Sequence, residues 1–157
     1  MGKSVVTKEE IEDFEGIDKA HFLNENACRT NKSLGDLVGI TGFGFHIVEL
    51  KPGMESSQMH MHHFEDECLY ILEGEAEAKL GEKVISLKAG DFIGYPAGGE
   101  AHNIKNSGKS ILRCIVVGQR LDHDVIDYPQ IGKRLFQNKD MPFNLVETDA
   151  IDNPDIN

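Results

Sequence analysis

After Leu34-Gly35-Asp36 the chain breaks into short apolar runs separated by turns, beginning with LVGITGFGFHIVEL. Phe43, Phe45 and Ile47 alternate with their neighbours there, which puts them on one face of an extended segment. Turn signals recur at Lys51-Pro52-Gly53, Glu73-Gly74-Glu75, Gly81-Glu82, Lys88-Ala89-Gly90-Asp91, Pro96-Ala97-Gly98-Gly99 and Asn106-Ser107-Gly108-Lys109. Gly, Pro and Asn at such places supply the backbone angles that reverse a strand. Between them lie CLYIL, AEAKL, KVISL, DFIGY, HNIKN and ILRCIVVGQ, each of strand length. Many short strands without intervening helices predict an all-β domain, an antiparallel sandwich or barrel, and no internal repeat offers a solenoid instead.

The flanks read differently. Thr7-Lys8-Glu9-Glu10 has the form of a capping box, with Ile11, Phe14 and Ile17 following at helical spacing, and predicts a short helix. From Leu121 the chain turns polar, yet Ile131, Leu135, Phe136, Phe143, Leu145 and Val146 are too apolar for an idle linker and are expected to pack on the barrel or on a second subunit. The last stretch, from Asp149, is expected to be loose. The chain thus divides into an N-terminal extension (1–35), a barrel (36–120) and a C-terminal extension (121–157).

Composition narrows the function classes. At 157 residues the chain supports one core. A formal charge of −11 and a pI near 5.0 argue against nucleic acid or an anionic membrane as partner, since both are held by clustered Lys and Arg. No apolar run approaches the ~20 residues of a membrane helix, and MGKSVVTKEE lacks the apolar centre of a secretory signal. The opening Met-Gly does not continue as a myristoylation signal, because Val6 stands where Ser or Thr is required. Cys28, Cys68 and Cys114 are far apart and without CxxC spacing, which predicts reduced thiols in or near the core of a cytoplasmic protein.

Chemistry concentrates between Gly53 and Gly74. Along a strand His60 and His62 point the same way and Met61 points away, so two imidazoles converge. Glu67 follows after a turn at His63-Phe64-Glu65-Asp66; if it faces inward, so do Leu69 and Ile71. A one-residue slip would bring Asp66 inward instead. His102, just after a Pro-Gly turn, is placed to add a ligand from a distant strand. Three imidazoles and a carboxylate suit a divalent transition metal such as Zn, Mn, Fe, Ni or Co, at roughly 2.0–2.2 Å, better than Ca or Mg.

The other candidates have plainer readings as well. His63 is expected to face away from the metal, and His46 to face either cavity or solvent. His21 and His123 read as surface residues. Arg113, inside ILRCIVVGQ, lies at the sheet surface or points into the cavity to hold an anion. Tyr70 and Tyr95 carry hydroxyls near the site but also suit a barrel core. His46, His63 and Tyr70 are the candidates for proton transfer.

Gly53, His60, His62, Glu67 and Gly74, followed by Gly90, Pro96, Gly98, His102 and Asn106, resemble the two motifs of the cupin superfamily. The spacers Gly53 to His60 and Gly98 to His102 are each one residue longer than usual, a difference in loops that leaves the ligand spacing intact. The run from Leu34 to Lys133 is similar to a subgroup of small single-domain bacterial cupins whose members carry a candidate sugar-phosphate isomerase label. The resemblance implies a double-stranded β-helix with His60, His62, Glu67 and His102 on a metal. It also implies a small-molecule substrate or ligand and a homodimer associated through barrel edges and terminal extensions. Isomerase, iron-dependent dioxygenase and non-enzymatic binding protein all remain open to such a barrel.

Overall fold

The computed structural model describes residues 3–154. It begins with the helix α1 (Lys8–Asp13). Glu10 N donates to the Thr7 hydroxyl at 3.3 Å, and Thr7 N donates to the Glu10 carboxylate at 2.8 Å, which is the reciprocal cap expected from the sequence. A hairpin, β1 (Ile17–His21) and β2 (Asn24–Ser33), leads through the single turn α2 (Leu34–Leu37) to β3 (Phe43–Leu50). There follow β4 (Met61–His62), β5 (Glu67–Glu73), β6 (Glu75–Leu80), β7 (Lys83–Lys88), β8 (Phe92–Tyr95), β9 (His102–Asn106) and β10 (Leu112–Gln119). The chain continues through β11 (His123–Tyr128), β12 (Lys133–Asn138) and β13 (Asn144–Glu147). Each apolar run named above from CLYIL onward has become one of these strands.

Pairing is antiparallel throughout. One sheet has the order β1-β2-β3-β10-β5-β8, a second β13-β12-β11-β4 and a third β7-β6-β9. Alternation sorts the side chains: in β5 Leu69 and Ile71 are buried while Tyr70 between them is exposed. With Val48 and Leu50 of β3, Leu112 and Cys114 of β10, Ala76 and Ala78 of β6 and Ile104 of β9, they form the main core. This core fills one end of a double-stranded β-helix. Ile126, Tyr128 and Leu135 form a smaller cluster on the C-terminal strands. The other end of the barrel is left to the polar residues of the motifs.

Two motif residues act on the backbone. Gly74, at the turn between β5 and β6, has φ +92°, and a Cβ there would lie 3.1 Å from Ile111 O, so a side chain is disfavoured by both angle and space. Asn106 is fully buried; its amide donates to Leu50 O and Ser110 O, both at 2.8 Å, and its carbonyl accepts from Gly108 N at 2.9 Å. It therefore pins the loop between β9 and β10.

The flanks lie close to the barrel. Residues 17–33, read from sequence as part of an extension, run as β1 and β2 in the six-stranded sheet, and β11 pairs directly with β4 through Ile126–His62 and Asp127–Met61. Thr148–Ala150 form a 3-10 turn at the start of the expected loose tail, whose last residues, 155–157, lie outside the described residues, as do Met1 and Gly2. Cys114 is buried and Cys68 half-buried, but Cys28, expected near the core, is exposed, because it alternates with the inward-facing Ala27 on β2. Among the described residues no helix is long and apolar enough to cross a membrane.

Candidate metal centre

Backbone pairing brings the motif histidines together. His60 and His102 form an isolated antiparallel bridge, with His60 N donating to His102 O at 3.1 Å and His102 N to His60 O at 2.8 Å. Their ring centroids are 4.6 Å apart, and those of His60 and His62 5.0 Å. Glu67 enters from the start of β5, opposite Gly118 and Tyr95. The ligand atoms of His60, His62 and Glu67 lie within 4.8 Å of one another, and His102 Nε2 is 4.0 Å from Glu67 Oε1. The structure thus gathers His60, His62, Glu67 and His102; Asp66 instead accepts a hydrogen bond from Ala97 N at 2.8 Å, at the rim.

Each imidazole is held from outside by Nδ1. His60 Nδ1 lies 2.9 Å from Gln58 O, His102 Nδ1 3.2 Å from Glu100 O and His62 Nδ1 2.5 Å from Asp124 Oδ2. With the proton on Nδ1, the lone pair of every Nε2 faces the centre of the cluster. His102 Nε2 is buried and has no hydrogen-bond partner among the described residues, which is costly unless something electrophilic lies against it. Three nitrogen lone pairs and a carboxylate meet the donor preferences of a divalent transition metal. His62, Glu65 and Asp124 also lie close enough to be considered as a cation site. We read that group differently, because the 2.5 Å contact uses His62 Nδ1 as a donor to Asp124.

The electrostatics match the task. Burial holds His60 well below the ordinary imidazole range, helped by the neighbouring His102 and His62, and lowers His102 to about 4. Both are therefore neutral near pH 7 and able to act as ligands. For His62 burial pulls downward, but the Asp124 hydrogen bond and the charges of Glu67, Asp124 and Glu65 outweigh it and leave the ring raised. Burial raises Glu67 against the lowering influence of His62 and Arg29. A carboxylate so placed needs a positive partner to stay ionised.

The cluster opens on a cavity of about 310 Å³. Its walls include Arg29, Asn31 and His46 on one side and Tyr95, Asn103 and Tyr128 on the other. Of the proton-transfer candidates, His46 faces this cavity, 3.3 Å from the Asn31 amide. His63 turns away and meets Asp127 at 2.9 Å. Tyr70 is exposed on the outer face of the sheet. Arg113 is not in the cavity either: it pairs with Glu49 at 3.2 Å and Glu73 at 3.3 Å, because β10 sends Leu112 and Cys114 inward and Arg113 outward. His123 is exposed, whereas His21, expected at the surface, is half-buried, lines the cavity and meets Tyr128 edge-on at 5.8 Å.

Sequence reasoning passed over Asp124, Arg29 and Asn31, all outside the motifs, and weighed Tyr95 chiefly as core. Tyr95 stacks flat on His102, with centroids 3.7 Å apart, and its buried hydroxyl has no partner among the described residues. The polar Asn31 and Asp124 inside strands of the flanks were the available signal.

Known proteins resemble the chain along most of its length. The family described as "Cupin domain" matches residues 46–118. An oxalate-binding protein of Thermotoga maritima is 31% identical over 118 residues, covering 73% of this chain and 88% of that protein. A crystal structure of a candidate sugar phosphate isomerase from Acidithiobacillus ferrooxidans superposes with a TM-score of 0.93 at 43% identity, covering 96% of each chain. A sugar phosphate isomerase of the cupin superfamily from Silicibacter pomeroyi gives 0.79 at 27% identity, covering 86% of this chain and 88% of that one.

Proposed function

Because the chain belongs to the cupin superfamily, we propose that His60, His62, Glu67 and His102 hold a divalent transition metal in a metal-dependent enzyme acting on a small polar molecule, of the sugar-phosphate isomerase type. The observation that carries this reading is the buried, unpartnered Nε2 of His102, facing a cluster whose imidazoles are all tied back by Nδ1. When bound, such a metal supplies Lewis acidity that polarises a substrate carbonyl and stabilises the charge of an enediolate.

The chain's own residues supply the rest. The Tyr95 hydroxyl, kept protonated because burial raises it far above its ordinary range, is free to donate a hydrogen bond to a bound ligand. His46 exchanges the proton between adjacent substrate carbons; burial and the neighbouring Arg120 lower its pKa, so it is neutral near pH 7. A cavity of about 310 Å³ takes a small metabolite and excludes a polymer. Resemblance to sugar phosphate isomerases supports aldose–ketose interconversion over the oxygenase alternative.

Metal analysis of the purified protein, followed by turnover assays on sugar phosphates with and without chelator, tests the proposal. A chelator-sensitive interconversion is expected, and protein that takes up no divalent metal even after reconstitution overturns it. A second reading, ligand binding without turnover, is favoured by the identity to the oxalate-binding protein; it predicts metal-dependent oxalate binding and no isomerisation.

The reading includes a homodimer in the cytoplasm. The cross-strand row Ile47–Ile115–Tyr70–Phe92 lies on the face of the six-stranded sheet opposite the core, with Tyr70 42% and Phe92 65% exposed. Such a row supports association with a second copy.

A further inference from the structure

We infer that Arg29 forms an anion-binding subsite beside the metal cluster, so that the ligand of this cavity carries a phosphate or carboxylate group. The inference rests on the proposed reading of the cavity as a ligand site and adds the charge of the ligand and the residue that reads it. Arg29 lies on β2, outside the segment that matches the cupin family.

The register places it. Asn31 pairs with Val48, a core residue, so Asn31 faces inward, and Arg29 two positions earlier faces the same way. Lys19 pairs with Arg29 across the hairpin and shares this face, at the mouth of the cavity. The cavity is lined by Lys19, Arg29 and Arg120 against Glu65, Asp66 and Glu67, a balance of charge in a chain with 27 Asp and Glu against 16 Lys and Arg. The cations come from β1, β2 and the residue after β10, and the carboxylates from the segment that leads into β5.

Arg29 has little else to do with its charge. Among the described residues its one hydrogen bond runs from Nη1 to Ser56 O at 2.8 Å, while a guanidinium carries five N–H donors. Burial disfavours its charged form, and Glu67 is the carboxylate whose field offsets this. Yet Arg29 and Glu67 make no ion pair, and Glu67 belongs to the metal cluster. With a divalent ion in place, the ion, Glu67 and Arg29 sum to two positive charges facing one partly enclosed space. Uncompensated charge of that kind is expensive, and one or two negative charges on a ligand balance it. The planar fork of Arg29 suits two oxygens of one phosphate or carboxylate. Arg113, the arginine that sequence reasoning offered for this task, is occupied by Glu49 and Glu73 on the opposite face.

The test uses full-length protein both loaded with cobalt(II), the state in which the positive charge is uncompensated, and metal-free, where Glu67 alone faces Arg29; the Arg29 variants separate binding by the ion from binding by Arg29. Inorganic phosphate, acetate and neutral glycerol are titrated by calorimetry into the wild type, Arg29→Gln and Arg29→Lys. Gln retains a donor for Ser56 O but no charge; Lys retains the charge but not the fork. The expected result is anion binding by the wild type that weakens with salt, an affinity at least tenfold lower in Arg29→Gln, a smaller loss in Arg29→Lys, and no glycerol binding. Preference for phosphate over acetate assigns a phosphoryl ligand, and the reverse assigns a carboxylate. Equal anion affinity in wild type and both variants, or no anion binding by the wild type, overturns the subsite. Cobalt(II) affinity, measured separately by chelator competition, is expected to stay within about threefold in Arg29→Gln. Should the wild type bind anion through Arg29 but no metal, the proposed enzyme fails while the subsite stands.

Discussion

His60, His62 and His102 each give Nδ1 to an oxygen outside the cluster, but only His62 gives it to a carboxylate, Asp124, which is 1% exposed. Asp124 also accepts from Phe64 N at 3.1 Å, so it fixes both the ring and the turn that follows. Replacing Asp124 with Asn keeps the shape and removes the charge; divalent-metal affinity, followed by competition with a chelator, is expected to fall about 10- to 100-fold. Affinity unchanged within experimental error would show that the carboxylate does not tune the ligand.

Protons compete with the metal for the same lone pairs, and the pKa shifts give the order. His60 and His102 are depressed, the latter to about 4, so the raised His62 is the first imidazole to protonate as pH falls. Metal affinity is therefore expected to be level at high pH and to decline as pH drops through the His62 pKa, above its ordinary 6.5. In the metal-free protein the same pair acts on stability. The raised His62 contributes fully below the unfolded imidazole pKa and loses its contribution as pH rises through its folded pKa. The depressed Asp124 contributes above the unfolded carboxylate pKa and loses its contribution as pH falls through its folded pKa. Thermal melts of metal-free wild type and Asp124→Asn should differ most between the two folded pKa values, narrow as pH rises through the His62 pKa while the Asp124 contribution persists, and converge as pH falls through the Asp124 pKa.

At the scale of the element, short runs and turns identified the strands from β5 to β10 because each run must bury alternate side chains and each turn must reverse. The metal ligands were legible for the same reason: strand alternation fixes His60 with His62, and the second motif adds His102. The other wall was not, since Arg29 and Asn31 reach the cavity only when β2 pairs with β3, and Asp124 only when β11 pairs with β4. Those pairings join residues distant in sequence, which local patterning does not encode.

Within β3, Gly44 shows how a strand shapes a site: a Cβ there would lie 2.4 Å from His46 Nε2. Gly44→Ala is expected to displace the His46 ring and lower turnover with little change in metal affinity, a split measured by kcat alongside chelator competition. In the loop after β9, Asn106→Ala removes the amide donor from the buried Leu50 carbonyl and from the part-buried Ser110 carbonyl, which water can still reach. At about 1–3 kcal/mol for the buried group, a loss of about that size is expected, read as a lower urea midpoint at unchanged slope.

For the whole molecule, the six-stranded sheet has two faces with different uses. Its inner face carries Leu69, Ile71, Cys114 and Glu67, and thus the core and one wall of the site. Its outer face carries the row Ile47–Ile115–Tyr70–Phe92 and, beside it, Phe45–Val117–Cys68–Gly94. Lys32, paired with Ile47, sends Nζ to Ile11 O at 3.1 Å, which brings the N-terminal helix to one end of the first row. At the other end Phe92 is uncovered. Burying an aromatic ring stabilises association by roughly 1.5–3 kcal/mol, so Phe92→Arg together with Tyr70→Glu is expected to convert a micromolar dimer into a monomer. Sedimentation velocity reads the change. Because these side chains lie on the face opposite the cluster, metal affinity should stay unchanged in the double variant. A wild type that is monomeric at micromolar concentration removes the dimer, and a double variant that stays dimeric moves the interface elsewhere on the barrel.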